Sequence, residues 1–203
     1  VMAQTGSNRS QRLFSGIELR PNDERLSVLS QSPESKWPKR FATDKSTGKS
    51  KQVPEKAHAH TAACFSASRK LDGEARLRIN WSVFLPLGTP EERALKTCDW
   101  SIDLFLHGWF FPNSGRTEVE GLGGDCPDMN DLKDSSAVRR AWNQCLARGG
   151  TLPLIPDAFA QFVEHTKWDP KVTHTVTDAI RNSDLFRRFH SEICRDANWL
   201  HRF

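Results

Sequence analysis

"AACFSASRKLDGEARLRINWSVFLPL", residues Ala62 to Leu87, is the stretch on which the fold turns. After Asp72-Gly73, the residues Leu77, Ile79, Trp81, Val83 and Leu85 alternate with Arg76, Arg78, Asn80, Ser82 and Phe84. A period of two is the signature of a strand with one buried and one largely polar face. Asp-Gly is favoured in type I′ turns, so the stretch predicts a tight hairpin. Downstream, Trp100, Ile102, Leu104 and Leu106 carry the same period into another strand. Upstream, "LFSGIELRPNDERLSVLSQS" (13–32) reads as a second hairpin: Ile17 and Leu19 alternate in one arm, Leu26 and Val28 in the other, and Pro21-Asn22-Asp23-Glu24 forms the turn. About five strands joined by short turns imply a largely antiparallel sheet.

Beyond Asp125 the period changes. Val138, Ala141, Trp142 and Cys145 fall at helical spacing, with Asp134 or Ser135 as the cap and Gly149 as the stop. A second helix begins near Pro156, with Ala158, Phe159, Phe162 and Val163 on its apolar face. A third begins near Thr175 or Ser183 and carries Leu185, Phe186, Phe189, Ile193 and Trp199. Strands first and helices later is the α+β order. The chain divides into a disordered terminus (1–12), an antiparallel sheet module (13–125) and a helical segment (126–203) that reads as cut short. It therefore reads as a piece of a larger protein.

Composition narrows the function. The net charge of the 203 residues is +4. Residues 32–60 alone hold seven Lys or Arg (Lys36, Lys39, Arg40, Lys45, Lys49, Lys51, Lys56) against Glu34, Asp44 and Glu55, which accounts for the whole excess. A nucleic-acid footprint spread over the molecule is thus not implied; one basic loop is. That segment is poor in apolar residues and rich in Lys, Ser and Thr, so it is expected to be a mobile loop. Five cysteines without a CxxC pair point to reduced thiols and a cytoplasmic setting. No apolar run is long enough to span a bilayer, and a membrane partner is not expected.

Four motifs were weighed against simpler readings. "DKSTGKS" (44–50) lacks the first P-loop glycine, since Thr43 stands there, and has neither flanking strand nor helix of the required kind. His58, His60 and Cys64 lack a fourth zinc ligand at the usual spacing. Glu164, His165 and His174 have no nucleophile elbow beside them. Gly121, Gly123 and Gly124 follow a strand and could let backbone N–H groups approach a phosphate, although a flexible connection is the simpler reading. No metal site and no catalytic residue are expected.

Three further stretches occur in order: "INWSVFLPLG" (79–88), "DLFLHGWFFPNSGRTEVEGLGGD" (103–125) and "VRRAWNQCLARGGTLPLIPDAF" (138–159). With the Phe110-Phe111-Pro112 turn and the Trp142-Asn143 pair, they resemble the region after the nucleotide-binding domain in GHKL ATPases. The likeness is to sacsin-like and bacterial relatives of the ninety-kilodalton heat-shock chaperone, and it covers roughly residues 75–165. The resemblance implies a transducer that relays nucleotide state to a protein client or effector. It makes Arg116 the residue that senses the phosphate of ATP on an adjacent or partner domain. It also implies that ATP and magnesium belong to the complete assembly, and that bacterial members can accompany defence genes. The Glu and Asn helix, the Asp-x-Gly-x-Gly loop and the glycine-rich lid of a GHKL site are missing from these residues. The chain alone is therefore not expected to hydrolyse ATP. The alternative is a nucleic-acid-associated module using Lys45, Lys49 and Lys51.

Overall fold

The computed structural model describes residues 12–19, 24–30, 37–43, 46, 48–54, 59–69, 73–96, 98–125, 127–129 and 132–194. The strands are β1 (Arg12–Leu19), β2 (Lys39–Thr43), β3 (Ser50–Pro54), β4 (Thr61–Arg69), β5 (Arg76–Val83), β6 (Leu85–Pro86), β7 (Glu91–Ala94) and β8 (Trp100–Gly108). The helices are α1 (Glu24–Ser30), α2 (Ser135–Leu146), α3 (Ile155–Thr166), α4 (Pro170–Arg181), α5 (Asp184–Arg188) and α6 (His190–Ile193). The α+β class and the largely antiparallel sheet are as expected.

The sheet order is β1-β4-β8-β5-β6, with β7 also on β5. The expected tight hairpin between β4 and β5 is therefore not formed, because β8 lies between them. β8 is antiparallel to β4, with Phe65 opposite Leu104, and parallel to β5, with Ile79 opposite Leu104. A two-residue turn joins only neighbouring strands, about 4.8 Å apart. Here residues 70–75 separate the two strands. Gly73, at φ +82°, belongs to that wider connection, and Asp72 lies outside the described residues.

The alternation is as expected in β4, in β8 and in β5 as far as Ile79; beyond it Asn80 and Ser82 are buried and Trp81 is half-buried. Ala63, Phe65 and Ala67 of β4, Leu77 and Ile79 of β5, and Ile102, Leu104 and Leu106 of β8 are all buried on one face. Each Leu, Ile or Phe so buried contributes about 1.5–3 kcal/mol. Helix α3 seals this face through Phe159 and Phe162, whose rings lie 5.3 and 5.6 Å from Phe65. The other face is polar: Arg78 bonds both carboxylate oxygens of Asp103 from the neighbouring strand, at 2.6 and 3.0 Å. The buried row also ends before Leu85. Phe84 turns to φ +64°, and Phe84 and Leu85 are each 70% exposed, so Leu85 does not continue the buried row.

Three other expectations change. The second arm of the 13–32 hairpin is helix α1, whose Leu26 and Leu29 are buried one turn apart while Val28 is exposed. The intervening residues 20–23 lie outside the described residues. The 32–60 segment, expected as a loop, contains the antiparallel β2–β3 pair, and Trp37 at its start is buried. Gly149 does not end a helix. A glycine stops a helix when it turns left-handed, and neither Gly149 nor Gly150 has a positive φ. Instead a π turn (Ala147–Thr151) and a 3₁₀ turn (Leu152–Leu154) carry the chain into α3. The left-handed stop comes later, at Lys167 with φ +50°. Asp134 does cap α2, accepting from the Ala137 amide at 2.8 Å. The third expected helix is three separate ones, with Ser183 capping α5. Residues 1–11 and Trp199 lie outside the described residues.

Candidate functional site: a clamped loop carrying Arg116

Parallel pairing sends the C-terminal ends of β5 and β8 out of the same edge of the sheet. The 84–88 turn and the 109–124 loop are thereby neighbours. Gly88 sits so close to the loop that a Cβ there would collide with the Thr117 carbonyl oxygen. The loop has little regular structure, so its backbone groups must find partners elsewhere. Helix α2 supplies them. Trp142 Nε1 donates to the Trp109 carbonyl at 3.0 Å. Asn143 accepts from the Phe111 amide at 2.8 Å and donates to the carbonyls of Phe111 and Glu120 at 2.7 and 2.9 Å. Gln144 donates to the carbonyls of Gly121 and Gly124 at 2.6 and 2.8 Å. Asn143 and Gln144 are both 0% exposed, so these bonds form away from water, where an unmet polar group is costly.

Trp142 also anchors the loop by packing. Its ring lies 5.7 Å from Trp37 and 6.3 Å from Phe111. The loop closes on itself through a bridge between Pro112 and Val119. The Asn113 side chain then spans the turn, accepting from the Thr117 amide at 2.9 Å and donating to Thr117 Oγ1 at 2.9 Å.

Arg116 stands at the tip of this braced turn. It is exposed, and it holds φ +54° while the adjacent Gly115 does not have a positive φ. A left-handed arginine costs on the order of 1–2 kcal/mol relative to glycine. No ion pair to its guanidinium occurs among the described residues. The left-handed residue closes a turn in which the Arg116 amide donates to the Asn113 carbonyl at 2.9 Å, and it leaves the guanidinium in solvent.

The glycines take a different part from the one expected. Gly121, at φ +71°, lies against the Arg140 side chain, where a Cβ would collide. The carbonyls of Gly121 and Gly124 face Gln144, and the Gly124 amide donates to the Gly121 carbonyl at 3.2 Å. The Gly123 carbonyl receives Arg188 at 2.5 Å. These glycines bring the loop up to α2 and α5. The other candidates lie apart from the loop tip. Lys49 and Lys51 are exposed on or beside β3, and Lys45 lies outside the described residues. His58 is likewise outside them, while His60 holds Glu18 at 2.5 Å. His165 faces Ser15 and His174 pairs with Asp178, on different helices. Among the described residues, no group of three or more His, Cys, Asp or Glu is placed to hold a metal ion.

A polar chain behind the loop was not read from the sequence. Arg148 donates to Gln144 Oε1 at 2.7 Å and to Glu192 of α6 at 2.6 Å. The guanidinium groups of Arg148 and Arg188 both lie over the Phe189 ring, at 5.5 and 5.6 Å from its centre. The i, i+4 spacing of Gln144 and Arg148 was a signal for one link; Glu192, far along the chain, gave none. No model of a known protein family matches the chain, and no curated protein or solved structure matches it either.

Proposed function

We propose that this chain is a non-catalytic, transducer-like module of a chaperone-type GHKL ATPase. In this reading Arg116 contacts the phosphate of ATP held by an adjacent or partner domain. The observation that carries it is Arg116 itself: exposed, unpaired among the described residues, and strained at the tip of a loop clamped by Trp142, Asn143 and Gln144. Guanidinium suits a phosphoryl oxygen because it can donate two parallel charge-assisted bonds. A rigid support matters because such a contact acts only when its donor is already in place. The hydrogen-bonded series from the Gly121 and Gly124 carbonyls through Gln144 and Arg148 to Glu192 gives the loop a path to the C-terminal helices, where a client or effector would be met.

The test is ATP turnover in the assembly of this chain with its ATP-binding domain. Arg116→Ala lowers turnover by about one to three orders of magnitude, as loss of a charged transition-state contact does. Arg116→Lys restores only part, since a point charge cannot reproduce the fork. Unchanged turnover in Arg116→Ala removes Arg116 from the mechanism.

A further inference from the structure

The 109–124 loop has an inner side as well as a tip. Between it, the Ile79–Trp81 part of β5 and helix α5 lies a cleft of about 450 Å³. That volume is in the range of small-molecule sites, roughly 300–1,000 Å³. Its lining joins the edges of buried apolar side chains (Ile79, Leu87, Val119, Leu122, Leu185 and Phe189) and half-buried Trp81 to a polar rim. Apolar side chains from three separate parts of the chain thus converge on one concave surface that opens to solvent.

The charges around the cleft are unequally committed. Glu91 accepts from the amides of Asp184 and Leu185, at 2.6 and 3.1 Å, and from Arg93 at 3.1 Å. Asp184 pairs with both Arg93 and Arg187. Glu118 is exposed at the rim and receives Asn113 Nδ2 at 3.3 Å. Arg188 differs. It spends one N–H on the Gly123 carbonyl and lies over Phe189; the side chain is exposed, and among the described residues its other donors meet no protein acceptor. The cleft therefore joins apolar side chains to one solvated cation at its side.

We propose that this cleft binds a small amphipathic anion: an apolar body of about one or two rings or a short alkyl chain, carrying a carboxylate or similar group that Arg188 holds. The apolar body lies over Leu122 and Leu185, and the anion replaces water on the guanidinium. Of the acids around the cleft, Glu91 and Asp184 are paired with Arg93 and Arg187, and Glu118 at the exposed rim is the one left facing Arg188. Arg116 does not line this cleft, so the site stands independently of phosphate sensing at the loop tip.

The test uses anilinonaphthalene sulfonate, which joins an apolar body to one anion, and the uncharged N-phenylnaphthylamine as its neutral counterpart. Binding is read from probe fluorescence and from the indole N–H resonance of Trp81. The sulfonate is expected to bind one to one and to shift the Trp81 resonance; the neutral probe binds more weakly. Arg188→Ala weakens the sulfonate about tenfold, the loss of one charge-assisted contact, and leaves the neutral probe unchanged. Arg188→Lys restores part of the affinity. Thr89→Trp, at an exposed position on the rim, blocks both probes without touching the core. Arg116→Ala binds the sulfonate like the parent. The proposal is overturned if the Trp81 resonance does not move, if both probes bind equally, or if Arg188→Ala leaves the sulfonate unaffected.

Discussion

Trp142 shows how one side chain can serve core and site together. Trp142 is 1% exposed and bonds the first carbonyl of the loop, so its removal opens a cavity and orphans a backbone acceptor. Trp142→Ala should cost about 3–5 kcal/mol in urea unfolding. A loss below roughly 1 kcal/mol would mean that the indole is not packed as described. Its burial was legible, because Val138, Ala141 and Cys145 share its helical stripe. The burial of Asn143 and Gln144 was not: polar residues beside a stripe look solvated until the loop they serve is in place.

His107 adds a pH dependence. Burial pushes its imidazole below the usual histidine range, and the neighbouring His60, 5.8 Å away ring to ring, acts in the same direction. Ser82 and Glu18 oppose the shift. The folded state therefore takes up this proton less readily than the unfolded chain. Stability is fully present above the unfolded value, about 6.5, and is lost as pH falls from there toward the lower folded value. His107→Gln should flatten that part of a stability–pH curve measured by denaturant unfolding. An unchanged slope would assign it to other groups.

At the scale of elements, alternation told which face of each strand is buried but not which strand lies beside it. β5 has the same period whether β4 or β8 is its neighbour, and the Asp72-Gly73 signal favoured the wrong one. The choice was made by long-range packing: β8, with Ile102, Leu104 and Leu106 fully buried, takes the central place. A similar limit hid β2 and β3, whose sequence is polar on both sides of the turn. These strands pair only with each other. An isolated two-stranded hairpin is marginal in water. It should open at lower free energy than the main sheet. Trypsin is thus expected to cut first at Lys49 and Lys51. First cleavage at Arg78 or Arg148 would show that the main sheet or α2 opens more readily than the hairpin.

Across the whole molecule, the loop and the C-terminal helices form one hydrogen-bonded unit, although they are far apart in sequence. Gln144 holds Gly121 and Gly124, Arg148 holds Gln144, and Glu192 holds Arg148. Glu192 has only 13% of its side chain exposed, so its bond to Arg148 is less screened than a surface pair. Glu192→Gln keeps the shape and removes the charge. Arg148 then loses its charged partner, Gln144 Oε1 loses a fixed donor, and the two glycine carbonyls are held less tightly. The Gly124 amide, which donates to the Gly121 carbonyl, should exchange its hydrogen faster by about threefold to tenfold, for a coupling of about 0.7–1.4 kcal/mol. The amides of β4 and β8, which lie outside this series, should exchange as in the parent. Faster exchange confined to α6 would mean that the chain of bonds is a static brace and that the loop does not sense the helix. Faster exchange everywhere would mean that the substitution lowered global stability. Only the selective change at Gly124 is expected if the loop and α6 move as one body.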